Sequence, residues 1–298
     1  MAMIHPQFDP VALHLGSIQL HWYGLMYLLA FAFAYALAHY RSKQRHDFNA
    51  EMVSDLVFFG AMGVILGGRI GYVILYNFAE FLANPLYLFK VWEGGMAFHG
   101  GFLGVVVAML LFARKYKKNV FTVLDFIAPC VPTGLLFGRI GNFINGELWG
   151  RVSAGGYDWL MYFPQAARAD YELLSSDSRL ASLAQTIGDY ALLPRHPSQL
   201  YQATTEGLLL FILLWWFSAK PRPRYAVSAL FLLGYGISRF ICEFFREPDV
   251  GYALIFGWMS KGQLFSLPMI IGGIALLILA YNKKIYDWQV KLPVNTQR

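Results

Sequence analysis

The groups in this chain best suited to handling an anion crowd into one run, Gly138-Arg139-Ile140-Gly141-Asn142-Phe143-Ile144-Asn145-Gly146-Glu147, which closes an apolar stretch. Ionisable side chains at membrane depth are costly, and they persist mostly where they bind or react with something. An Arg, two Asn and a Glu in such a place suggest a site for an anionic substrate at the membrane surface. Other chemistries lack their residues. The seven His form neither an HExxH pair nor a Cys/His cluster, so no metal site is expected. There is no GxSxG elbow, Walker loop or dinucleotide fingerprint. The Gly-rich 60–71 stretch reads as helix packing. The basic residues flank loops, which argues against nucleic acid as a partner. Cys130 and Cys242 both fall inside apolar stretches and read as small packing residues rather than a disulfide framework.

These side chains must be held by elements that cross a bilayer. The chain has 298 residues, 57% apolar and 14% charged, with a mean hydropathy of +0.45. Soluble domains carry roughly 25% charged residues. Seven stretches approach the ~20 apolar residues a spanning helix needs, near 18–40, 53–76, 95–114, 121–144, 198–218, 225–245 and 263–281. The connections alternate in basic content. One side holds Arg41, Lys43 and Arg45; Arg114, Lys115, Lys117 and Lys118; Lys220, Arg222 and Arg224; then Lys283, Lys284, Lys291 and Arg298. The other is poorer for its length, with Lys90, Arg246, Lys261 and a thin spread of Arg151, Arg168, Arg179 and Arg195. The positive-inside rule puts the N-terminus outside and the C-terminus in the cytoplasm, in keeping with an odd number of spans. The net charge of +6 would suit membrane lipid, although topology alone produces such an excess. No cleavable signal peptide is expected, since the first sixteen residues lack a basic region and contain two prolines. The expected fold is an all-α polytopic membrane protein of seven transmembrane helices. It forms one integral membrane domain over 1–298, with 145–197 as a small extracytoplasmic cap between the fourth and fifth helices.

In that topology Tyr23 and His99 follow the outer ends of the first and third spans, while Arg69, Arg139 and Arg239 precede those of the second, fourth and sixth. At ~1.5 Å per residue all five lie roughly 7–11 Å below the outer boundary, with Glu147 and Glu243 slightly nearer the surface. A lipid phosphate could enter such a layer sideways. Each residue also has a plainer reading. A lone Arg at this depth can snorkel to the interface. Glu243, four residues after Arg239, can neutralise it as an i,i+4 pair, whereas Arg69 has no such neighbour. His99, within Gly94-Gly95-Met96-Ala97-Phe98-His99-Gly100-Gly101, can be a hydrogen-bonded packing residue, although the glycines allow close backbone approach. Tyr23 on composition alone belongs to the interface belt. Gly68-Arg69-Ile70-Gly71 echoes Gly138-Arg139-Ile140-Gly141 on two spans of the same direction. That fits a parallel repeat or a chance match among packing glycines.

The run through Glu147-Leu148-Trp149-Gly150 resembles the GNFxNxExxG-type signature of the phosphatidylglycerol–prolipoprotein diacylglyceryl transferases. Further blocks are His21-Trp22-Tyr23-Gly24, Phe98-His99-Gly100-Gly101, His196-Pro197-Ser198-Gln199-Leu200-Tyr201, and Gly234-Tyr235-Gly236 through Arg239, Glu243 and Phe244-Phe245-Arg246. The resemblance covers nearly the whole chain. Gln202 departs from it, because relatives often have an acidic residue after the Tyr. What the resemblance implies is an enzyme of the bacterial cytoplasmic (inner) membrane, without a cofactor. It would move a diacylglyceryl group from phosphatidylglycerol to the lipobox cysteine thiol of a prolipoprotein, forming a thioether and releasing glycerol phosphate. Arg139 and Arg239 are then catalytic, stabilising charge on the departing glycerol phosphate, and His99 is the base for the thiol. Substrate-binding roles are implied for Tyr23, Asn142, Asn145, Glu147, Gly150, Tyr235, Glu243, Arg246 and Arg69. The residue types suit these tasks. An Arg fork binds phosphate oxygens bidentately and stays charged when buried, and a thiol of pKa about 8.5 gains from a neighbouring base. A runner-up reading, an anion or lipid transporter, predicts polar residues continuing to an inner gate. The inner halves of the spans are nearly uncharged, with Asp55 and Asp125 close to the cytoplasmic ends, which favours the transferase.

Overall fold

A helix stands at each place where apolar residues mark a span. The structure, a computed structural model, describes residues 3–16, 18–90, 94–248 and 254–288; Lys291 and Arg298, counted above among the basic flanks, lie outside the described residues. The helices are α1 (Trp22–Gln44), α2 (Ala50–Tyr76), the short α3 (Phe78–Ala83) and α4 (Phe98–Lys115). Next, α5 (Val120–Ile127) runs through a 3-10 turn into α6 (Val131–Ile144), and α7 (Ala167–Ser176) follows. Then α8 (Ser198–Gln202) passes through a π-helical turn, Ala203–Leu209, into α9 (Leu210–Phe217), before α10 (Ala226–Cys242) and α11 (Lys261–Lys283). Among the described residues, five continuous rods are long and apolar enough to cross a membrane: Trp22–Gln44, Ala50–Tyr76, Val120–Ile144, Ser198–Phe217 and Lys261–Lys283. At the expected third and sixth positions α4 and α10 have 18 and 17 residues.

The strands are short and lie outside these rods. β1 (Met3–Ile4) pairs in parallel with β4 (Met161–Tyr162), which pairs antiparallel with β7 (Pro194–Arg195). β2 (Val11–Leu15) and β3 (Ile18–His21) form a hairpin, as do β5 (Gln185–Ile187) and β6 (Tyr190–Leu192). The first helix therefore begins at Trp22 rather than near 18. Ile18-Gln19-Leu20-His21 alternates apolar and polar residues at the strand period of two, and the hairpin claims it. The 145–197 segment is folded, around Met161, Phe163 and Ala166 with Phe143 and Trp149 packed against them.

The chain forms two compact units. The first comprises Met1–Phe33, Pro129–Phe217 and Ala229–Ile278; the second comprises Ala34–Ala128, Ser218–Ser228 and Leu279–Arg298. Lipid offers helices no hydrophobic drive to associate, so small residues that let backbones approach must do it. In the second unit a Cβ on Gly67 would stand 2.4 Å from the Gly100 carbonyl oxygen, and one on Gly104 would stand 2.0 Å from that of Gly63. That contact leaves room only for glycine and accounts for the Gly-rich 60–71 stretch. In the first unit Gly207 presses on Leu136, where a Cβ would meet the Leu136 Cα at 2.8 Å. The π-helical turn is thereby held against α6.

Candidate active site

Glu206, in that π-helical turn, is fully buried and takes two arginines. Its Oε2 accepts from Arg139 Nη2 of α6 at 3.2 Å and Nε at 3.4 Å. Its Oε1 lies 3.8 Å from Arg239 Nη1 of α10. The expected i,i+4 pair is present: Arg239 Nη2 meets Glu243 at 2.6 Å. Glu243 also takes Arg246 Nη1 at 3.3 Å and the Ser260 hydroxyl at 2.6 Å. Three arginines thus share two glutamates among the described residues. Arg239 Nη1 and Glu206 Oε1 are both buried, and among the described residues neither makes a hydrogen bond, since 3.8 Å is beyond hydrogen-bond range. A buried donor without an acceptor costs about 1–3 kcal/mol, a cost that an entering oxyanion removes. Tyr235 adjoins Arg139 and lies within electrostatic reach of Glu206 and Arg239. Tyr23, in the first turn of α1, packs near Gly141, where a Cβ would stand 3.3 Å from its ring.

Glu206 escapes a motif-by-motif reading because it lies four residues past the His196–Gln202 block. The signal was present nonetheless: a carboxylate in the middle of an apolar span is as informative as an arginine there. π-turns, which often mark functional sites, leave no comparable trace in composition.

The signature run turns back on itself after α6. Gly146 at φ 64° and Leu148 at φ 57° adopt left-handed backbone. Asn142 Nδ2 donates to Glu147 Oε1 at 2.7 Å, and the Glu147 amide donates to the Asn142 carbonyl at 3.0 Å. Gln199 Nε2 donates to the Glu147 carbonyl at 2.7 Å, and the Ser198 hydroxyl to that of Leu148 at 2.9 Å. The Gly150 amide donates to the His196 carbonyl at 2.9 Å, and the Arg151 amide to Phe245 at 2.8 Å. A Cβ at Gly150 would lie 2.3 Å from the His196 oxygen and 2.5 Å from that of Phe245, so only glycine fits between those two backbones. Arg195, with no exposed surface, locks the junction by bonding Asp170 at 2.6 and 2.8 Å, the Gly150 carbonyl at 3.0 Å and Glu247 at 2.9 Å. The blocks near 147, 196 and 245 are therefore one local structure. His196 Nδ1 lies 3.0 Å from the Tyr201 hydroxyl, and burial pushes its imidazole below the ordinary His range. Asn145 is exposed at the end of α6. Neither Cys130 nor Cys242 is in a disulfide.

Arg69 and His99 belong to the second unit. Arg69 is buried and donates to four backbone carbonyls: Leu88 at 3.1 Å, Tyr87 at 2.6 Å, Gly94 at 2.5 Å and Gly95 at 3.4 Å. His99 is exposed, the second residue of α4, just past Ala97, whose amide donates to the Gly68 carbonyl at 2.9 Å. The two Gly-Arg-Ile-Gly runs thus differ in use. Arg69 grips carbonyls where Arg139 grips a carboxylate. Gly71 is tightly packed, with Gly100 Cα 2.6 Å from a Cβ built there, whereas Gly138 faces open space.

These features define a multi-pass membrane protein with a partly buried, arginine-lined site in its first unit. Residues 10–279 match the family described as prolipoprotein diacylglyceryl transferase. A phosphatidylglycerol–prolipoprotein diacylglyceryl transferase of Psychrobacter arcticus is 69% identical over 288 residues, 96% of this chain and 98% of that protein. Proteins so named from Acinetobacter baumannii and Acinetobacter baylyi are 59% and 58% identical, each over 96% of this chain and 97% of theirs. The chain belongs to the prolipoprotein diacylglyceryl transferase family and is a transferase.

Proposed function

We propose that this protein transfers the diacylglyceryl group of phosphatidylglycerol to the lipobox cysteine thiol of prolipoproteins in the bacterial cytoplasmic membrane. The thiolate sulfur attacks the glyceryl carbon next to the phosphate, so a carbon–sulfur bond forms and a carbon–oxygen bond breaks. The electron pair leaves on glycerol phosphate, whose charge grows by one unit. Arg139 and Arg239 stabilise that charge, and His99 takes the thiol proton. The observation that carries this reading is the buried Arg239 Nη1, which has no hydrogen-bond acceptor among the described residues and stands 3.8 Å from Glu206. Glu206 spaces the two arginines, while Glu243 orients Arg239 and is itself held by Arg246 and Ser260. Asn142 and Glu147 shape the headgroup pocket, Asn145 stands at its exposed edge, and Tyr23 and Tyr235 donate to the lipid. Gly150 contributes by allowing the closure of three segments. Arg69 contributes by fixing the glycine loop that leads to His99.

The accompanying topology has seven spans, the N-terminus outside, the C-terminus in the cytoplasm and 145–197 as an extracytoplasmic cap. Its support is the basic last turns of α1, α4 and α11, with Arg41 and Lys43, Arg114 and Lys115, and Lys283.

The test is a mass shift. Purified protein with phosphatidylglycerol should add a diacylglyceryl group to a lipobox peptide carrying one Cys, and none to its Ser counterpart. Arg139→Ala and Arg239→Ala should each slow transfer by about 10²–10³-fold while still inserting. Transfer at the normal rate by either variant would remove the charge-stabilising role, and no adduct from folded, lipid-bound protein would remove the activity itself.

A further inference from the structure

The carboxylate behind the two arginines bears on how the site lets an anion go. Glu206 has no exposed surface, and the π-helical turn that carries it is pressed on α6, where a Cβ at Gly207 would stand 2.8 Å from the Leu136 Cα. The side chain therefore has no room to swing out to solvent. Its Oε2 accepts from Arg139 at 3.2 and 3.4 Å. Its Oε1 faces Arg239 Nη1 at 3.8 Å, and neither of these two atoms makes a hydrogen bond among the described residues. An anionic oxygen bound to Nη1 at about 2.9 Å thus lies within about 7 Å of Oε1. Like charges at that separation repel. At an effective dielectric near 20 the repulsion amounts to roughly fiftyfold in affinity per unit of ligand charge. Water reaching the partly exposed arginines brings it down to about tenfold. The penalty grows with the charge of the ligand. A phosphodiester carries one negative charge, and a phosphate monoester nearly two above about pH 7. Glu206 therefore acts once against phosphatidylglycerol and almost twice against the glycerol phosphate that leaves.

We infer that Glu206 is a specificity-determining residue, which lets the arginines take a phosphodiester monoanion and keeps them from retaining a phosphate monoester dianion. Without it, Arg139 and Arg239 gain more from each added negative charge, and the product holds the site against the next lipid. The inference rests on the proposed reaction for the identity of the two anions. The discrimination itself is a property of binding.

Titration calorimetry of the whole protein in neutral detergent at pH 8 tests it. The probes are glycerol 1-phosphate, a monoester, and glycerophosphoglycerol, the deacylated diester headgroup. Wild type should bind the two within about tenfold of one another. In Glu206→Gln the preference for the monoester over the diester should rise by about tenfold relative to wild type. A purely structural role predicts otherwise, because lost arginine geometry weakens both probes alike and leaves their ratio unchanged. Glu206→Asp keeps the charge and should keep the wild-type ratio, even where both affinities fall. An unchanged or lowered ratio in Glu206→Gln, or an equal rise in Glu206→Asp, would overturn the inference. So would failure of wild type to bind either probe, or a wild-type preference for the monoester of about a hundredfold or more, and both are read without any variant. If no lipobox peptide is modified while the ratio shifts as expected, the reaction falls and the discrimination stands.

Discussion

At the scale of single residues, a carboxylate decides how the arginines stand. Glu206 is wholly buried, and Arg139 and Arg239 keep 16% and 15% of their side-chain surface exposed. The glutamate holds Arg139 by hydrogen bonds and faces Arg239 at 3.8 Å, while both arginine side chains stay partly reachable. Removing one partner of a buried ion pair costs about 3–5 kcal/mol when the other charge stays buried; partial exposure of both arginines places Glu206→Gln below that range. This variant should unfold at lower temperature and transfer more slowly, by about tenfold or more. An unchanged unfolding temperature and rate would show that the arginines hold their geometry without it. Gln202 poses the opposite case. It is fully buried, and neither amide atom has a hydrogen-bond partner among the described residues. Unsatisfied buried polar atoms cost about 1–3 kcal/mol each, so Gln202→Met should raise thermal stability. A fall on calorimetry would mean that an internal water or lipid group satisfies the amide.

At the scale of elements, the N-terminal strand and the 145–197 segment are tied to α6 by their own chemistry. His5 follows β1, is 1% exposed, stacks on Phe163 with ring centres 5.0 Å apart, and donates from Nε2 to the Phe143 carbonyl at 2.6 Å. Burial outweighs that bond and lowers its pKa below the ordinary 6.5. The folded state therefore prefers neutral imidazole, and the unfolded chain takes the proton first as pH falls. His5 leaves stability undiminished above about pH 6.5 and reduces it progressively below, toward its folded-state pKa; His196, lowered by burial as well, acts in the same direction. Thermal unfolding between pH 8 and pH 5 should show this decline, and His5→Asn should flatten it. A wild-type profile with no decline below pH 6.5 would contradict it.

At the scale of the whole molecule, the proposed topology makes a prediction about which way the rods run. Tyr157 and Lys117 are both exposed, and the proposed topology assigns the first to the outside and the second to the cytoplasm. In a Cys130→Ala/Cys242→Ala background, a membrane-impermeant maleimide should label Tyr157→Cys in intact spheroplasts and Lys117→Cys only after the membrane is opened. The reverse pattern would invert the topology, and labelling of both from outside would change the number of spans.

How much of this was legible in advance follows from the range of the forces involved. Apolar stretches announce helices because burial in lipid depends on local composition, so a helix stands at each of the seven places. The run from Gly138 to Glu147 announced a site because ionisable residues closing an apolar stretch are too costly to keep without use, and its continuation to Gly150 announced the family by its resemblance to a signature. The hairpin over Val11–His21 was legible in its alternation but was absorbed into the neighbouring apolar run. Tertiary structure alone decided the rest. Glu206 reaches Arg139 only because Gly207 lets the π-turn lie against α6; Gly150 is obligatory only because the backbones of His196 and Phe245 close on it from distant segments; and Arg69 grips carbonyls instead of an acid. Each depends on which groups are brought within about 3 Å of one another, and hydrogen bonds and ion pairs at that range are set by packing between segments far apart in the chain.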